Sequence, residues 1–232
     1  ATVSLNGKEL GTHRGGYDEF SFDVTEALNE TGENRLVVAV WDPTAYSQAL
    51  GKQTLRPAGI SYTPCTGIWQ TVWLEPVPEI SIFGLKMVPD IDKGRLRLTV
   101  SVRGANSATV HAEVFDGEKK VSEASGKAGA PIRLPVPNAK LWWPDDPFLY
   151  GLKVRIDSSK DSVESYFGMR KSSLGKDETG ITRMMLNNKF IVQNGVLDQG
   201  YWPGGIYTAP TDEALRYDVE ATKRLGFNMS RK

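Results

Sequence analysis

A short stretch near the end of the chain combines aromatic, carboxylate, amide and guanidinium side chains. Its candidate ligand-binding residues are Asp198, Gln199, Tyr201, Trp202 and Arg231. The first four follow a predicted strand, and the arginine lies near the end of the next one. Rings beside such polar groups suit a sugar, which offers an apolar face of C–H bonds and a rim of hydroxyls. The alternative is structural, because the rings could pack the loop and Asp198 could accept backbone hydrogen bonds in a turn.

A second group of polar side chains lies in the stretch VWDPTAYSQALGKQ, in a loop that follows a predicted strand. Asp42, Tyr46 and Lys52 are its candidate ligand-contacting residues, placed where they could form the lip of a pocket. The alternative is that this loop only braces a neighbouring part of the protein.

The sequence lacks the residues that several other functional classes require. The 28 basic residues balance 28 acidic ones without a basic stripe, which argues against nucleic acid as a partner. His13 and His111 lie far apart with no second ligand at metal spacing, so no metal site is predicted. The paired glycines at 15–16 and 204–205 lack the strand-to-helix context of a phosphate loop, so no cofactor is predicted. The single cysteine, Cys65, excludes an intrachain disulfide.

The sequence gives no indication of a membrane segment. No window approaches the roughly 18 consecutive apolar residues of a membrane span. The chain opens at Ala1 without a start methionine and without the charged and apolar regions of a signal peptide. We therefore predict a soluble protein with no membrane partner, and its cellular location stays open.

The elements that must position the candidate residues are mostly predicted β-strands. Residues 1–78 carry short alternating runs separated by turns, with a hairpin turn at Asn6-Gly7, and they indicate a β-sandwich. The runs are ATVSLNGKEL, YDEFSFDVT, NRLVVAVWD and GIWQTVWLEPV. Because the chain opens inside a strand, the first strands of this sandwich are predicted to be missing. Trp41, Trp69 and Trp73 alternate with polar residues in these runs, which predicts that all three are buried.

A second β-rich region spans residues 79–170. About six or seven short strands over roughly ninety residues match the size and spacing of an immunoglobulin-like sandwich. The runs are ISIFGLKMV, RLRLTVSVRG, ATVHAEVFDG, PIRLPV, FLYGLKVRID and VESYFGMRK. Pro76 and Pro78 mark the boundary before this region, because proline cannot donate a hydrogen bond to a strand ladder.

The sequence pattern changes after residue 170. A hairpin is predicted to turn at Asn187-Asn188, followed by a buried strand near residues 190–197. Thr211 occupies the N-cap position of a predicted helix with an acidic first turn, and Gly226 ends that helix. The segment FNMSRK then begins another strand. Strand, helix and strand form one β/α unit of the kind that builds parallel sheets and barrels.

Three stretches together resemble glycoside hydrolase family 2, which includes β-galactosidases, β-glucuronidases and β-mannosidases. They are LNGKELGTHRGGYDEFSFDVT, GKQ followed by ISYTPCTGIWQTVWLEPV, and LDQGYWPGGIYTAPTDEALRYDVEATKRLGFNMSRK. The resemblance implies a truncated jelly-roll domain of the sugar-binding type over 1–78 and an immunoglobulin-like sandwich over 79–170. It also implies the incomplete start of a (β/α)8 catalytic barrel over 171–232. The chain is then expected to be the N-terminal portion of a longer enzyme.

The activity that the resemblance implies is retaining, exo-acting hydrolysis of β-glycosides in carbohydrate catabolism. This reaction requires two carboxyl groups about 5–5.5 Å apart. Family members supply both as glutamates from later barrel strands, one of them after an asparagine. The pair Asn29-Glu30 lies instead in a turn-rich link, so no catalytic residue is assigned and the chain alone is predicted to be inactive. The sequence does not name the sugar, and β-galactoside is the first choice.

The resemblance also places the candidate residues. In such a barrel the active site forms at the C-terminal ends of the strands, where Asp198 and Arg231 would lie. Sequences of this type often read Trp-Pro-Asp-Gly where this chain has Trp202-Pro203-Gly204-Gly205, so a carboxylate contact at 204 is lost. The expected partners are a carbohydrate substrate, the rest of the barrel and, in the full-length enzyme, further copies in a homo-oligomer. A different class stays open, namely a non-catalytic β-sandwich module that binds glycan or protein.

Overall fold

The computed structural model describes residues 1–45, 48–105 and 107–232. Strands hold 40% of the residues and helix 8%, which confirms the predicted mainly β fold class. The first strands are β1 (Thr2–Leu5), β2 (Lys8–Thr12), β3 (Leu36–Ala39), β4 (Ser81–Asp90), β5 (Arg95–Arg103), β6 (Thr109–Asp116), β7 (Lys119–Lys127) and β8 (Ile132–Pro135). They are followed by β9 (Tyr150–Ile156), β10 (Ser162–Phe167), β11 (Ser172–Lys176), β12 (Thr182–Leu186), β13 (Lys189–Phe190), β14 (Gly195–Leu197), helix α1 (Asp212–Arg224) and β15 (Met229–Arg231). Short 3-10 turns lie at Thr25–Ala27 and Ile91–Lys93.

The chain divides into two compact units. The N-terminal unit contains Ala1–Trp73, Asp198–Ala221 and Lys232. The sandwich unit contains Leu74–Leu197 and Thr222–Arg231.

The N-terminal unit contains a three-stranded antiparallel sheet in the order β2-β1-β3. The predicted hairpin between β1 and β2 is confirmed, with Asn6 and Gly7 at φ angles of 53° and 83°. These left-handed values are the ones that a two-residue hairpin of the mirror-image turn type requires, and Asn-Gly adopts them readily. The Asn6 side chain also accepts a hydrogen bond from Arg35 N–H (2.8 Å) and donates one to the Ala27 carbonyl (2.8 Å). The turn is therefore tied to the approach to β3.

Two of the strands predicted for residues 1–78 do not form. The runs at 17–25 and 67–77 contain no strand residues in the described structure. Along them Tyr17 and Trp73 are 73% and 68% exposed, and Trp41 beside β3 is 76% exposed. A strand needs a neighbouring backbone to complete its hydrogen-bond ladder, and neither run pairs with one in the part of the chain that the structure describes. The predicted burial of Trp41 and Trp73 is therefore wrong.

The sandwich unit packs a sheet in the order β4-β5-β8 against a sheet in the order β10-β9-β6-β7. Strand β5 shows why these residues form a sandwich, because alternate side chains from Leu96 to Val102 are buried while the polar side chains between them are not. The strands opposite, β6 and β9, alternate in the same way. The fully buried core residues are Leu96, Leu98, Val100, Val110, Ala112, Val114, Leu134, Val136 and Met169.

One strand of the sandwich was not predicted. Strand β7 reads KKVSEASGK, a mostly polar segment without the apolar alternation of a half-buried strand. It nevertheless pairs with β6 along its length and forms an edge of the sheet. An edge strand with charged side chains resists pairing with other chains, so its polar composition fits its position.

A second hairpin joins β12 and β13, as the sequence predicted. Asn187 and Asn188 adopt φ angles of 50° and 64° at its turn. Asn187 is buried, and its side chain accepts a hydrogen bond from Lys171 N–H (2.9 Å) and donates one to the Trp142 carbonyl (2.9 Å). The backbone N–H of Asn187 also donates to the Lys171 carbonyl (2.8 Å). This one residue therefore ties the hairpin to two other segments of the sandwich unit.

The last elements are a parallel strand pair with a helix between its strands. Strand β14 pairs with β15, and α1 lies between them in sequence. The predicted helix ends are confirmed, since Thr211 Oγ1 accepts a hydrogen bond from Ala214 N–H (3.1 Å) and Gly226 is left-handed at φ 86°. The predicted burial of the strand near 190–197 is wrong, because Leu197 is 58% exposed. No helix in the described ranges has the length and apolar character that a membrane crossing requires.

Candidate functional site

Four aromatic rings of the N-terminal unit, including that of the predicted site residue Tyr201, form a connected group that we call the Tyr201 cluster. Tyr62 stacks on Tyr201 with 4.0 Å between ring centroids and an interplanar angle of 14°. Tyr207 meets Tyr201 edge-on at 5.8 Å, and Trp69 meets Tyr207 edge-on at 4.9 Å. Stacked and edge-on pairs are the arrangements that the ring quadrupoles favour. Burial raises the pKa of the Tyr201 phenol, with smaller contributions from the neighbouring Cys65 and the two tyrosines.

Hydrogen bonds from the surrounding loops position the rings of Tyr62 and Trp69. The backbone N–H of Tyr62 donates to the Lys52 carbonyl (2.9 Å), and its carbonyl accepts from Thr54 N–H (3.2 Å). The Trp69 indole N–H donates to the Gly16 carbonyl (2.9 Å). Two separate stretches of the N-terminal unit, at residues 16 and 52–54, therefore hold the two rings in place.

The loop that carries Tyr201 and Tyr207 is closed by its own backbone. The N–H groups of Trp202 and Ile206 donate to each other's carbonyls at 2.8 Å and 3.0 Å. Ile206 has a φ of 54°, an uncommon value for a β-branched residue. A Cβ atom built on Gly205 would lie 1.9 Å from the Thr208 carbonyl oxygen, so the turn accepts only glycine at 205. The tight turn fixes where Tyr207 leaves the loop.

Asp198 forms an ion pair with Lys232 within the N-terminal unit. Asp198 directly follows β14 and Lys232 directly follows β15, so the parallel pairing of the strands sets the two side chains beside each other. The carboxylate also accepts a hydrogen bond from Gly200 N–H (2.9 Å). The Lys232 ammonium, and then the Gly200 N–H, hold the pKa of Asp198 below its usual range against the opposing effect of partial burial.

The remaining predicted residues of this stretch take different positions. Gln199 is exposed, and Trp202 is half-buried in the closed turn. Arg231 ends β15, pairs with Leu197 across the strands and is exposed. The structure thus joins Asp198 to Lys232 and Tyr201 to other aromatic rings.

The predicted lip residues Asp42 and Lys52 lie next to partners of the Tyr201 cluster. The Asp42 carbonyl accepts a hydrogen bond from the Thr66 hydroxyl (2.8 Å). Burial raises the pKa of the Cys65 thiol, and the nearby Asp42 carboxylate adds to that rise. Lys52 contributes its carbonyl to Tyr62. The third predicted lip residue, Tyr46, lies outside the described residues.

Sequence analysis did not assign three residues of this region to the site, which are Tyr62, Trp69 and Tyr207. Tyr207 could have been found, because it lies in the same loop as Tyr201 and Trp202. The other contacts join segments that are distant in sequence, and no local pattern reports such a contact.

The arrangement suits binding better than proton transfer. Asp198 stays ionised in its ion pair, so it can accept hydrogen bonds but is a poor proton donor. The ring faces and phenol hydroxyls of the Tyr201 cluster offer apolar and polar contacts to a ligand that is rich in hydroxyl groups. Across the described part of the chain, no group of three or more His, Cys, Asp and Glu side chains could hold a metal ion.

The sequence of the chain is similar to those of known proteins. The family pattern "Glycosyl hydrolases family 2" matches residues 80–170. A putative beta-glucuronidase of Formosa agariphila is 30% identical over 99% of this chain and 22% of its own length. A beta-galactosidase of Halalkalibacterium halodurans is 27% identical over 99% of this chain and 22% of its own length. This chain therefore spans less than a third of the length of these curated relatives.

Solved structures show the same fold. A β-glucuronidase from Ruminococcus gnavus in complex with D-glucuronic acid has a TM-score of 0.79 and 20% sequence identity. The match covers 100% of this chain and 41% of that protein. An FMN-binding beta-glucuronidase from Faecalibacterium prausnitzii L2-6 has a TM-score of 0.74 and 24% identity, over 99% of this chain and 36% of that one. At these identities the likeness concerns the fold.

Proposed function

The chain belongs to glycosyl hydrolase family 2, and on this premise we propose that it is the N-terminal portion of a retaining β-glycosidase. One observation carries the proposal: relatives named as β-glucuronidase and β-galactosidase align with 99% of the chain. The family pattern on residues 80–170, which form most of the sandwich unit, supports it independently.

Retaining hydrolysis requires two carboxyl groups with different roles. One attacks the anomeric carbon, and the other protonates the leaving oxygen and later activates water, with about 5–5.5 Å between them. Asp198 does not suit the acid role, since Lys232 holds it in the ionised form. In our proposal, both carboxyl groups are glutamates supplied by parts of the enzyme other than this chain, and residues 171–232 begin the barrel that carries them.

The Tyr201 cluster is proposed to line one side of the substrate site together with Asp198. Stacked rings present flat apolar faces of the kind that pack against the C–H face of a pyranose. Asp198 keeps acceptor capacity for sugar hydroxyls while its charge is balanced by Lys232. Gln199 and Arg231, both exposed, are each proposed to donate a hydrogen bond to a sugar hydroxyl.

The proposed substrate is a β-glycoside of glucuronic acid or galactose. The relatives carry both names, so the initial preference for β-galactoside has no further support over β-glucuronide. The two sugars differ at C6, where glucuronic acid has a carboxylate and galactose has a hydroxymethyl group. A cationic side chain that contacts C6 would therefore favour the glucuronide.

Turnover of 4-nitrophenyl β-D-glucuronide and β-D-galactoside tests the proposal. We expect no turnover by the 232-residue chain alone and turnover of one of these substrates by the longer polypeptide that contains it. In that longer protein, Tyr201→Ala should raise KM, whereas Tyr166→Ala, an exposed tyrosine of the sandwich unit, should leave KM unchanged. Turnover by the chain alone that disappears in Glu30→Gln would contradict the proposal, and so would inactivity of the longer protein on both substrates.

A further inference from the structure

The outer face of the sheet β10-β9-β6-β7 carries a serine, a histidine and an aspartate in direct contact. Ser125 Oγ lies 2.5 Å from His111 Nδ1. On the other side of the ring, His111 Nε2 lies 2.5 Å from Asp157 Oδ1. Nucleophile, base and orienting carboxylate in this order define the Ser-His-Asp arrangement, which is recognised by geometry and roles instead of sequence position.

The sheet itself sets this geometry. His111 on β6 lies directly opposite Ser125 on β7 and opposite Arg155 on β9. Directly opposed residues of antiparallel strands have Cβ atoms about 4.5–5.5 Å apart, so their side chains meet on one face. Asp157 follows β9, and its backbone N–H donates to the Thr109 carbonyl (3.1 Å). The site therefore rests on rigid strands whose opposite face forms the sandwich core.

The carboxylate determines which nitrogen of His111 can act as a base. Asp157 accepts only hydrogen bonds when ionised, so a neutral His111 carries its proton on Nε2. Its Nδ1 then has a free lone pair that accepts the Ser125 hydroxyl proton. The two ring nitrogens have exchanged places relative to the chymotrypsin arrangement, but each still performs the same role.

A depression beside Ser125 can hold a small ligand. It has a volume of about 240 Å³ and is lined by His111, Ala112, Glu113, Glu123, Ala124, Ser125 and Arg155. This volume is below the roughly 300–1,000 Å³ of sites for drug-sized ligands, so only a short acyl group fits. Lys120 pairs with both Glu113 (3.0 Å) and Glu123 (2.6 Å), and the Arg155 guanidinium pairs with Asp157 (3.3 Å). Arg155 therefore helps to hold the carboxylate that orients His111.

From this geometry we propose that Ser125 is a reactive nucleophile that accepts the acyl group of small uncharged esters. Ser125 Oγ attacks the ester carbonyl carbon while its proton passes to His111 Nδ1, and the carbonyl electron pair moves onto the oxygen. The pair returns, the bond to the leaving alkoxide breaks, and His111 gives its proton to that alkoxide. Water then attacks the acyl-serine by the same steps and releases the carboxylic acid. Ser125 and His111 are the catalytic residues, and Asp157 is a positioning residue.

Labelling with a fluorophosphonate probe, followed by mass spectrometry of the peptides, tests the nucleophile without any substitution. We expect one adduct, on Ser125. A matched control is Ser162, an exposed serine on the same sheet whose cross-strand neighbour is Arg155 instead of a histidine. Labelling of Ser162 as fast as Ser125, or an adduct on His111, would overturn the proposal.

Hydrolysis of 4-nitrophenyl acetate by the whole chain tests turnover. Ser125→Ala should abolish the rate above background, and His111→Gln should lower it about 100-fold, which is the usual contribution of a general base. Asp157→Asn should also lower the rate, and Asp157→Glu should restore part of it, a response that a purely structural role would not give. Equal rates for wild type, Ser125→Ala and Ser162→Ala would overturn the proposal.

Discussion

Replacement of Asn187 by alanine is expected to lower the free energy of unfolding of the sandwich unit by about 3–7 kcal/mol. Asn187 is only 5% exposed, so water cannot readily replace its two side-chain hydrogen bonds. The substitution leaves the Lys171 N–H and the Trp142 carbonyl without their partner, at about 1–3 kcal/mol each. Alanine at a φ of 50° adds about 1 kcal/mol, because its Cβ crowds the backbone in the left-handed region that asparagine tolerates.

Urea unfolding followed by far-UV circular dichroism measures this loss. The midpoint should fall while the slope of the free energy against urea stays unchanged, which separates lost stability from altered compactness. Asn187→Gly removes the same two hydrogen bonds without the backbone penalty, so it should be more stable than Asn187→Ala by about 1 kcal/mol.

The neighbouring residue provides the matched control. Asn188 has a similar φ of 64° but is exposed, and its side chain donates one hydrogen bond to Asp92 (2.8 Å). Asn188→Ala should therefore lower the free energy of unfolding by only about 1–2 kcal/mol. Equal losses for Asn187→Ala and Asn188→Ala would refute the idea that buried polar contacts, and not the backbone conformation, stabilise this hairpin.

Three further predictions follow from other parts of the chain. Leu134→Ala should lower the free energy of unfolding by about 2–5 kcal/mol in the same urea experiment, because it opens a cavity at a fully buried position. The lowered pKa of Asp198 contributes stability above the unfolded pKa of about 3.9, and this is lost as the pH falls towards the lower folded value. The Asp198→Asn variant should therefore lose less thermal stability than the wild type as the pH falls. An equal loss in the two proteins would contradict this. Thr211→Ala removes the acceptor for Ala214 N–H, at about 1 kcal/mol, and should speed amide hydrogen exchange in α1 while exchange in β5 stays unchanged.

Local signals in the sequence were sufficient where an element depends on its own residues. The turns at Asn6-Gly7 and Asn187-Asn188 form because these residues accept left-handed backbone angles. Thr211 caps α1 and Gly226 ends it for equally local reasons. The proposed domain bounds at residues 78 and 170 stay predictions.

Non-local pairing explains the errors in the strand predictions. The runs at 17–25 and 67–77 have strand-like composition, yet no described strand pairs with them. Strand β7 has polar composition, yet it forms because β6 offers it a backbone edge. Composition reports the preference of a segment, whereas the presence of a neighbour decides whether a ladder forms.

The candidate site likewise has features that the sequence predicts and features that depend on tertiary contacts. The sequence by itself determined that aromatic and charged residues gather between β14 and β15, and that the chain has the elements of a family 2 glycosyl hydrolase. Only the tertiary structure decided that Tyr62 stacks on Tyr201, that Lys232 pairs with Asp198, and that His111 lies between Ser125 and Asp157. The residue type alone determines the chemistry of each side chain. Contacts between distant residues depend instead on strand register and loop closure, and both are set when the whole chain folds cooperatively.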